Sequence, residues 1–461
     1  MTQPCPPVQT PESGLPRVLG MWDIVSIVVG GVIGSGIFLV PATIAAGVKS
    51  PLLIFAVWAA GGILSFFGAL AFAEMGASMP EAGGTYVFLR EAYGKLPAFL
   101  FGWTLFLVID SGAVATLAVA FSSMYLPHFL PLSPLAQKAV SALFVIFLVS
   151  VNYVGVRWGA NLQNLLTVIK FGALAAICAV IFIFGTGNPA HFVEPSPGPF
   201  SFGWFGPFGI ALIAVLWAYK GWDSAAYSAG ETRNPQRNLP WGLFIGTLTV
   251  IAIYFAANMA YLWVFPAETI AESPRVASDA MSLILGPVAA SVIALVILFS
   301  ITGAANQNLL CSPRVYYAMA RDGVFFKSAS AVHSRFRTPH ISILAIGAWS
   351  LILSLSGTFQ QLFTYVIFGQ WLFFGLTVSA VFVLRRKRPD LPRPYRTWGY
   401  PVTPIIFILS AVFISVNALV NQFWNAVVGL GIILLGLPFY LIWKKSAEAQ
   451  KSDNRASGTG V

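Results

Sequence analysis

Long apolar runs separated by short polar segments dominate the sequence of this 461-residue chain. A membrane crossing needs about 20 apolar residues, and by that measure we count twelve spans. They cover residues 20–46, 51–79, 96–127, 136–155, 160–185, 204–230, 240–265, 286–320, 339–357, 361–385, 401–421 and 424–443. A large soluble core would need a polar periodicity that these runs lack. The pattern therefore predicts an all-α integral membrane protein with twelve transmembrane helices.

Small and polar residues interrupt two of these spans. The first contains GGVIGSGIF at residues 30–38, and the sixth contains LWAYKGWDSAAYSAG at residues 216–230. An interior glycine weakens a helix by about 1 kcal/mol relative to alanine, and unwound backbone at membrane depth is tolerated only inside protein or along a cavity. Each interrupted span opens a group of five, so the pair indicates an inverted-repeat transporter with its site near the midplane.

The two interruptions also suggest what the site binds. Freed N–H groups at the start of an outer half-helix carry a positive partial charge that suits a carboxylate. Freed carbonyl groups suit an ammonium group, so the pair matches the two charged ends of an α-amino acid. A close helix contact between Gly30 and Gly34 is the competing interpretation, but it leaves the sixth span unexplained.

Composition and charge agree with a membrane protein. Hydrophobic residues make up 57% of the chain and charged residues only 9%, whereas a soluble chain carries about 25% charged residues. Most of the 26 Lys and Arg residues fall on the same side of the predicted membrane as the N-terminus. Because cytoplasmic loops carry the positive excess, we expect both termini in the cytoplasm and the protein in the plasma or inner membrane. The net charge of +10 then reports topology and implies no nucleic-acid partner.

Catalytic chemistry finds little support in the sequence. The three cysteines and four histidines lie far apart, without metal or redox spacing. An enzyme needs a nucleophile, a metal cluster or paired carboxylates at a buried face. We therefore predict no enzyme activity, no cofactor and no metal. A channel is disfavoured because paired discontinuous helices indicate an occluded site.

Four stretches carry a resemblance to a known family. They are GGVIGSGIF at 30–38, WAYKGW followed by ETRNPQRNLP at 217–240, NQNLLCSPRVYYAMARDG at 306–323, and RPDLPRPYRTWGYPV at 388–402. In this order they resemble the amino acid-polyamine-organocation superfamily, in particular its L-type amino acid transporter branch and bacterial relatives. The likeness extends from about residue 15 to residue 443.

The resemblance implies a domain plan. It gives a LeuT-type 5+5 inverted repeat with discontinuous helices 1 and 6. The transport core is residues 20–385, with repeats 20–185 and 204–385, and residues 401–443 form two accessory helices. Residues 1–19 and 444–461 are the cytoplasmic tails, and both tails have a composition typical of disorder.

The resemblance also implies the substrate-binding residues. Ser35 and Gly36, with Gly34 beside them, match the positions that take the substrate carboxylate. The carbonyl groups for the substrate amino group belong to Val32, Trp217, Ala218 and Lys220. Trp217 also matches an aromatic gate, and Asn306 matches an asparagine near the site in span 8.

Lys170, in NLLTVIKFGAL, is the most informative single residue. It lies about ten residues into its span, roughly 15 Å deep in a core of ~30 Å, and an ionisable group at that depth is a functional candidate. By resemblance, this lysine replaces the sodium ion of sodium-coupled cousins and binds carbonyl groups around Gly31–Gly34. A purely structural tether is the alternative. Desolvation favours its neutral form, so proton exchange during transport is a further hypothesis.

Asp110, in FLVIDSGAV, is a second ionisable group near the middle of a span. It either pairs with Lys170 or Lys220 across helices, or carries a proton as a desolvated carboxyl group. We assign Asp110 and Lys170 to coupling.

Lys220 and Asp223 depart from the family pattern, which has a small or acidic residue at the first position and often asparagine at the second. Their spacing of three permits pairing on a helical turn, which would neutralise both. If Lys220 instead faces the cavity, it argues against cationic substrates. Asp223 is also a candidate gate residue.

Glu231 is the remaining gate candidate. By resemblance it is an inner-gate carboxylate paired with Arg17 or Arg314. The alternative is a solvated surface charge.

These features predict a sodium-independent secondary transporter that exchanges neutral α-amino acids by alternating access. The alternatives are a proton-coupled symporter and a permease for another amino-acid-like or amine substrate. The eukaryotic heteromeric branch attaches a heavy chain through a cysteine between spans 3 and 4. The corresponding loop here, LPHFLPLSPLAQ, has no cysteine, so we expect no disulfide-linked heavy chain.

Overall fold

A computed structural model describes residues 14–193, 205–273, 275–356, 359–421 and 423–444. Predictions for residues 1–13 and 445–461 of the two tails lie outside this range. The described chain is built from α-helices, joined in places by short 3-10 or π segments. The helices are α1 (Met21–Val32), α2 (Gly36–Val48), α3 (Pro51–Ser78), α4 (Thr85–Tyr93), α5 (Lys95–Thr104), α6 (Asp110–Val119), α7 (Pro134–Val154), α8 (Val156–Phe184), α9 (Phe205–Ala218), α10 (Pro235–Val264), α11 (Ala267–Glu272), α12 (Val276–Leu285), α13 (Val288–Cys311), α14 (Pro313–Arg321), α15 (His340–Ser356), α16 (Phe359–Lys387), α17 (Val402–Asn421) and α18 (Phe423–Leu434).

The all-helical membrane fold is confirmed, because many of these helices are long and apolar enough to cross a bilayer. Among the described residues, eight helical segments meet that standard, and the bent pair of α1 and α2 makes nine. Large apolar side chains such as Leu135, Val168 and Trp424 are exposed on the outside, as lipid contact requires. The count of twelve spans stays a prediction.

The first span is broken where the glycine-rich stretch lies. Helix α1 ends at Val32 and α2 begins at Gly36, and the two axes differ by 44°. Helix α1 packs against α8, α10 and α13, and α2 packs against α9. The break is thus enclosed by protein, the setting in which unwound backbone is stable at membrane depth.

The sixth span is broken as well. Helix α9 ends at Ala218, and the chain resumes as a 3-10 segment from Trp222 to Glu231. Gly221 lies between them with a φ of 122°, a conformation that glycine adopts without steric cost. Both interruptions seen in the sequence are therefore interruptions of the backbone.

The helical stretch from Lys95 to His128 contains two π segments, at Leu105–Ile109 and Ala120–Tyr125. Such segments are rare and often lie at functional sites. Here they flank α6, which begins at Asp110. This stretch forms one wall of both cavities described below.

Residues just before α1 are hydrogen-bonded to the end of the 3-10 segment. The Val18 and Leu19 N–H groups both donate to the Glu231 carbonyl oxygen at 2.9 Å. The Glu231 carboxylate is fully buried and accepts from the Arg314 guanidinium at 2.6 and 3.1 Å. A solvated Glu231 is therefore wrong, and its partner is Arg314 rather than Arg17. Its gate role stays a prediction.

Candidate functional site

A cavity lies where the two broken spans meet. Its volume is about 600 Å³ when the part open to solvent is included. Seven predicted binding residues line it, namely Val32, Gly34, Ser35, Gly36, Trp217, Ala218 and Lys220. The other walls come from α6 and α13, through Ala113, Thr116, Leu117, Ala304, Gln307 and Asn308. The structure thus brings together residues from four segments far apart in sequence.

Free backbone donors lie at the start of α2. The N–H groups of Ser35, Gly36 and Ile37 donate to no acceptor in the described part of the chain. Ser35 and Gly36 line the cavity, and the Ser35 side chain caps no backbone group. Because a helix N-terminus carries a positive partial charge, this corner can accept an anionic group such as a carboxylate.

Val32 and Ala218, the last residues of α1 and α9, both line this cavity. The Tyr254 hydroxyl lies 2.9 Å from the Val32 oxygen and 3.0 Å from the Ala218 oxygen. A hydroxyl has a single proton to donate, so the two carbonyl oxygens share it. Val32 also accepts from the Gly34 N–H group at 2.8 Å. The Val32 oxygen thus already has two donors, and the Ala218 oxygen shares the Tyr254 proton with it, so a cationic group at either oxygen would compete with the hydroxyl.

The two breaks touch through backbone. A Cβ atom added to Gly36 would lie 2.9 Å from the Ala218 Cα atom, and one added to Gly221 would lie 2.9 Å from the Gly31 carbonyl carbon. Side chains at these positions would force the breaks apart. Glycine is therefore required here by close approach.

Lys170 is fully buried on α8. Its ammonium group donates to the Gly30 carbonyl oxygen, and it lies 3.4 Å from the Ser300 carbonyl oxygen of α13. The expected tie to span 1 is present, one residue before the predicted range of Gly31–Gly34. No carboxylate in the described chain forms an ion pair with Lys170, so pairing with Asp110 is wrong.

Asp110 pairs with Lys220 instead. The Lys220 ammonium lies 3.6 Å from a carboxylate oxygen of Asp110, and the Ser312 hydroxyl donates to the other oxygen. Asp110 is buried, whereas the Lys220 side chain keeps 16% of its surface exposed and lines the cavity. Lys220 thus places a cation beside the site.

Asp223 does not form the short-range pair that its spacing suggested. It accepts from the Tyr227 hydroxyl at 2.7 Å and makes no ion pair with Lys220 within the described chain. The other Asp223 oxygen is buried without a hydrogen-bond partner among the described residues. The α-helix ends at Ala218 and Gly221 has a left-handed φ of 122°, so the helical spacing assumed for this pair does not apply.

Asn306 lies outside the cavity lining, unlike the position that the resemblance implied. Its side chain bonds with Asn152, Gly159 and Gln163 at 2.9–3.1 Å, between α7, α8 and α13. The adjacent Gln307 lines the cavity and donates to the Gly221 carbonyl oxygen at 3.2 Å. Gln307 and Asn308 could have been predicted as lining residues because they are polar residues in the apolar span 8. Nothing in the local sequence indicated that Ala113 or Leu117 lines the cavity.

The described residues contain no cluster of side chains suited to bind a metal ion. There is no group of three or more His, Cys, Asp or Glu side chains that could hold an ion among those residues. The polar groups that line the cavity include backbone amides and carbonyls, hydroxyl and amide side chains, and one ammonium group.

Comparison with known proteins gives a consistent result. A family model described as "Amino acid permease" matches residues 19–438. The human b(0,+)-type amino acid transporter 1 is 34% identical over 444 residues, covering 94% of this chain and 90% of that protein. The serine/threonine exchanger SteT of Bacillus subtilis is 33% identical over 442 residues, covering 95% and 99%. The mouse large neutral amino acids transporter small subunit 2 is 30% identical over 433 residues, covering 93% and 81%.

Proposed function

The chain belongs to the amino acid permease family, and from that premise we propose that it is a secondary active transporter that exchanges neutral α-amino acids by alternating access. The central observation is the pairing of opposite backbone poles at one cavity. Ser35 and Gly36, whose N–H groups are unbonded at the start of α2, line the same cavity as Val32 and Ala218, the carbonyl-bearing ends of α1 and α9. A zwitterion fits this arrangement with its carboxylate at Ser35 and Gly36.

Lys220 supports the preference for neutral substrates. Its ammonium group at the cavity repels a second cation, and Asp110, its partner, is buried away from the cavity lining. A desolvated like-charge contact costs several kcal/mol in recognition. The names of two relatives, a serine/threonine exchanger and a large neutral amino acids transporter, point the same way.

Lys170 supports sodium independence. Its ammonium group already binds the Gly30 and Ser300 carbonyl groups beside the broken first span. A fixed cation at that point competes with a metal ion for the same oxygens. We therefore assign Lys170 the role that a bound sodium ion has in sodium-coupled cousins of this fold, and Asp110 the role of a coupling residue through Lys220.

Exchange is the favoured mode, in keeping with the name of the Bacillus relative. Proton-coupled symport is the second candidate, because the buried cluster holds two carboxyl groups, Asp110 and Asp223, against one ammonium group, Lys220. One Asp223 oxygen has no hydrogen-bond partner among the described residues. A proton bound there would neutralise the cluster.

The proposal includes an architecture. We assign twelve spans in a LeuT-type 5+5 inverted repeat, with both termini in the cytoplasm and the protein in the cell membrane. Trp217, Asp223 and Glu231 act as gate residues. We also propose that the chain works without a disulfide-linked heavy chain, because the loop between spans 3 and 4 has no cysteine. The phrase "small subunit" in the mouse relative's name makes this point worth testing.

Transport by purified protein in liposomes tests the proposal. Vesicles preloaded with L-serine or L-leucine should accumulate the same labelled amino acid without sodium, while empty vesicles should not. L-Lysine and L-arginine should compete poorly. Uptake by empty vesicles under an inward proton gradient would favour symport, and no counterflow with any of the twenty amino acids would contradict amino acid exchange.

Substitutions of Lys220 test its proposed role in selectivity. Lys220→Met should relax the exclusion of L-lysine, and the double variant Lys220→Met/Asp110→Asn removes the buried charge that the single change leaves unpaired. Lys138→Met, at an exposed position on α7, is the matched control. An unchanged substrate profile in both Lys220 variants would contradict the proposed selectivity.

A further inference from the structure

A second cavity lies next to the central one. It is lined by Phe38 and Leu39 of α2, by Met124, Tyr125 and His128, by Arg275, Ala277 and Ser278, and by Ala290, Ile293, Ala294 and Ile297 of α13. Its volume is about 710 Å³ with the part open to solvent included.

The two cavities share three walls. Helix α2, the helical stretch from Lys95 to His128, and α13 line both. On α13, Ile297 of the second cavity lies seven residues before Ala304 of the central one, and Met124 lies seven residues after Leu117. At 1.5 Å per residue both separations are about 10 Å. The second cavity, called here the outer cavity, therefore lies two helical turns from the central site and away from Met21.

Two polar groups stand out in this mostly apolar lining. The Tyr125 side chain is 92% buried, since its relative exposure is 8%, and its hydroxyl has no hydrogen-bond partner in the described chain. Buried polar atoms normally have a partner. A phenol that lines a cavity and lacks one indicates a ligand or water at that point.

Arg275 supplies a cation at the same cavity. It makes no ion pair with a carboxylate among the described residues. The nearby Asp279 carboxylate accepts from the Ser273 hydroxyl at 2.5 Å. The same Ser273 oxygen accepts from the backbone N–H group of Arg275 at 3.2 Å. Asp279 is thus bonded to Ser273 rather than to Arg275, and the exposed Arg275 guanidinium is available to an anion.

We propose that the outer cavity binds a carboxylate that carries an apolar body. The guanidinium of Arg275 binds the carboxylate, the Tyr125 hydroxyl donates to it, and Phe38, Ile293 and Ile297 contact the apolar part. The natural occupant is an incoming amino acid that waits there before it enters the central site. That identification rests on the proposed transport function, whereas the carboxylate chemistry does not.

Calorimetric binding of 3-phenylpropionate to the purified full-length protein tests the site. The probe has a carboxylate and an apolar body but no ammonium group, so its binding does not require amino acid transport. Arg275→Gln should weaken binding at least about tenfold, the expected loss of one charged hydrogen bond. Lys138→Gln, which removes an exposed cation outside the lining, should leave it unchanged.

A second variant guards against a folding artefact. Ala290→Phe adds volume to the lining at a half-buried position and keeps the Arg275 charge, so it should also abolish probe binding. Binding that is absent from the wild-type protein, or unaffected by both variants, would overturn the site. Competition by L-phenylalanine supports the waiting role, and its absence would overturn that role. If probe binding depends on Arg275 while no amino acid is transported, the transport function fails and the outer site stands.

Discussion

Tyr254 provides the sharpest test of how the two breaks recognise a substrate. This side chain of α10 is fully buried, and its single hydroxyl proton serves the carbonyl oxygens of Val32 and Ala218 at 2.9 and 3.0 Å. Tyr254→Phe removes that proton and leaves the Ala218 oxygen without its donor. An unsatisfied buried acceptor costs about 1–3 kcal/mol. We expect the substrate-free protein to lose about that much stability.

Bound substrate should restore part of the stability that Tyr254→Phe loses. A substrate ammonium group at the breaks would donate to the same two oxygens that the hydroxyl occupies. In the wild-type protein it competes with Tyr254, whereas in the variant it meets an unsatisfied Ala218 oxygen and a Val32 oxygen that keeps only the Gly34 donor. Because a ligand stabilises by RT ln(1 + [L]/Kd), the stabilisation by a saturating amino acid should be larger in Tyr254→Phe than in the wild type.

Thermal inactivation of the purified protein, with and without the amino acid that stabilises the wild type most, measures both effects. Tyr261→Phe is the matched control, because Tyr261 is buried on the same helix and its hydroxyl has no hydrogen-bond partner among the described residues. Equal stability of the two variants without substrate would refute the bonding argument. A smaller ligand effect in Tyr254→Phe would show that hydroxyl and ammonium act together rather than in competition.

Three further predictions concern the ion pair and the broken first span. Arg314→Met leaves the Glu231 carboxylate buried and unpaired, which should lower the free energy of unfolding by about 3–5 kcal/mol. Adding Glu231→Gln to the same chain should restore much of that stability. A thermal midpoint of Arg314→Met near that of the wild type would contradict the prediction. Gly36→Ala should abolish uptake because its Cβ atom would meet the opposite break at 2.9 Å, while Gly47→Ala on the same helix, with no atom nearer than 3.9 Å, should transport normally. Lys170→Ala should lose uptake but keep substrate binding in a thermal-shift assay, and unchanged uptake would argue against a coupling role.

The positions of the breaks could be predicted because their cause is local. Glycines, and small or polar residues inside an apolar run, weaken a helix wherever they occur, and the backbone departs from helix at residues 33–35 and 219–221. The depth of Lys170 in its span marked it as a functional candidate, and the family resemblance implied its tie to the first span. The positions of the breaks needed no knowledge of how distant segments pack.

Partners that depend on packing could be named from the sequence only as alternatives. For Asp110 the sequence left Lys170, Lys220 and an unpaired carboxyl group as alternatives, and packing selects Lys220. The helical geometry that would bring Asp223 close to Lys220 is absent because the α-helix ends at Ala218. Tyr254 carried no signal, since one tyrosine in an apolar span resembles any other. Neighbouring residues on a helix point about 100° apart, and this explains why Gln307 lines the cavity while Asn306 faces α7 and α8.

The hydrogen bonds around the breaks also distinguish an amino acid permease from an amine permease. Carbonyl oxygens at the breaks already have donors from surrounding helices: Lys170 for Gly30, Tyr254 for Val32 and Ala218, Ser300 for Ile33 and Gly34, and Gln307 for Gly221. The N–H groups at the start of α2 have no acceptor in the described chain. At these six oxygens an ammonium group competes with existing donors, whereas a carboxylate at the start of α2 meets unbonded N–H groups. Because a ligand gains most from groups that are otherwise unsatisfied, we expect the carboxylate to anchor the substrate and an amine that lacks it to bind more weakly, which competition by matched amine and amino acid pairs would check.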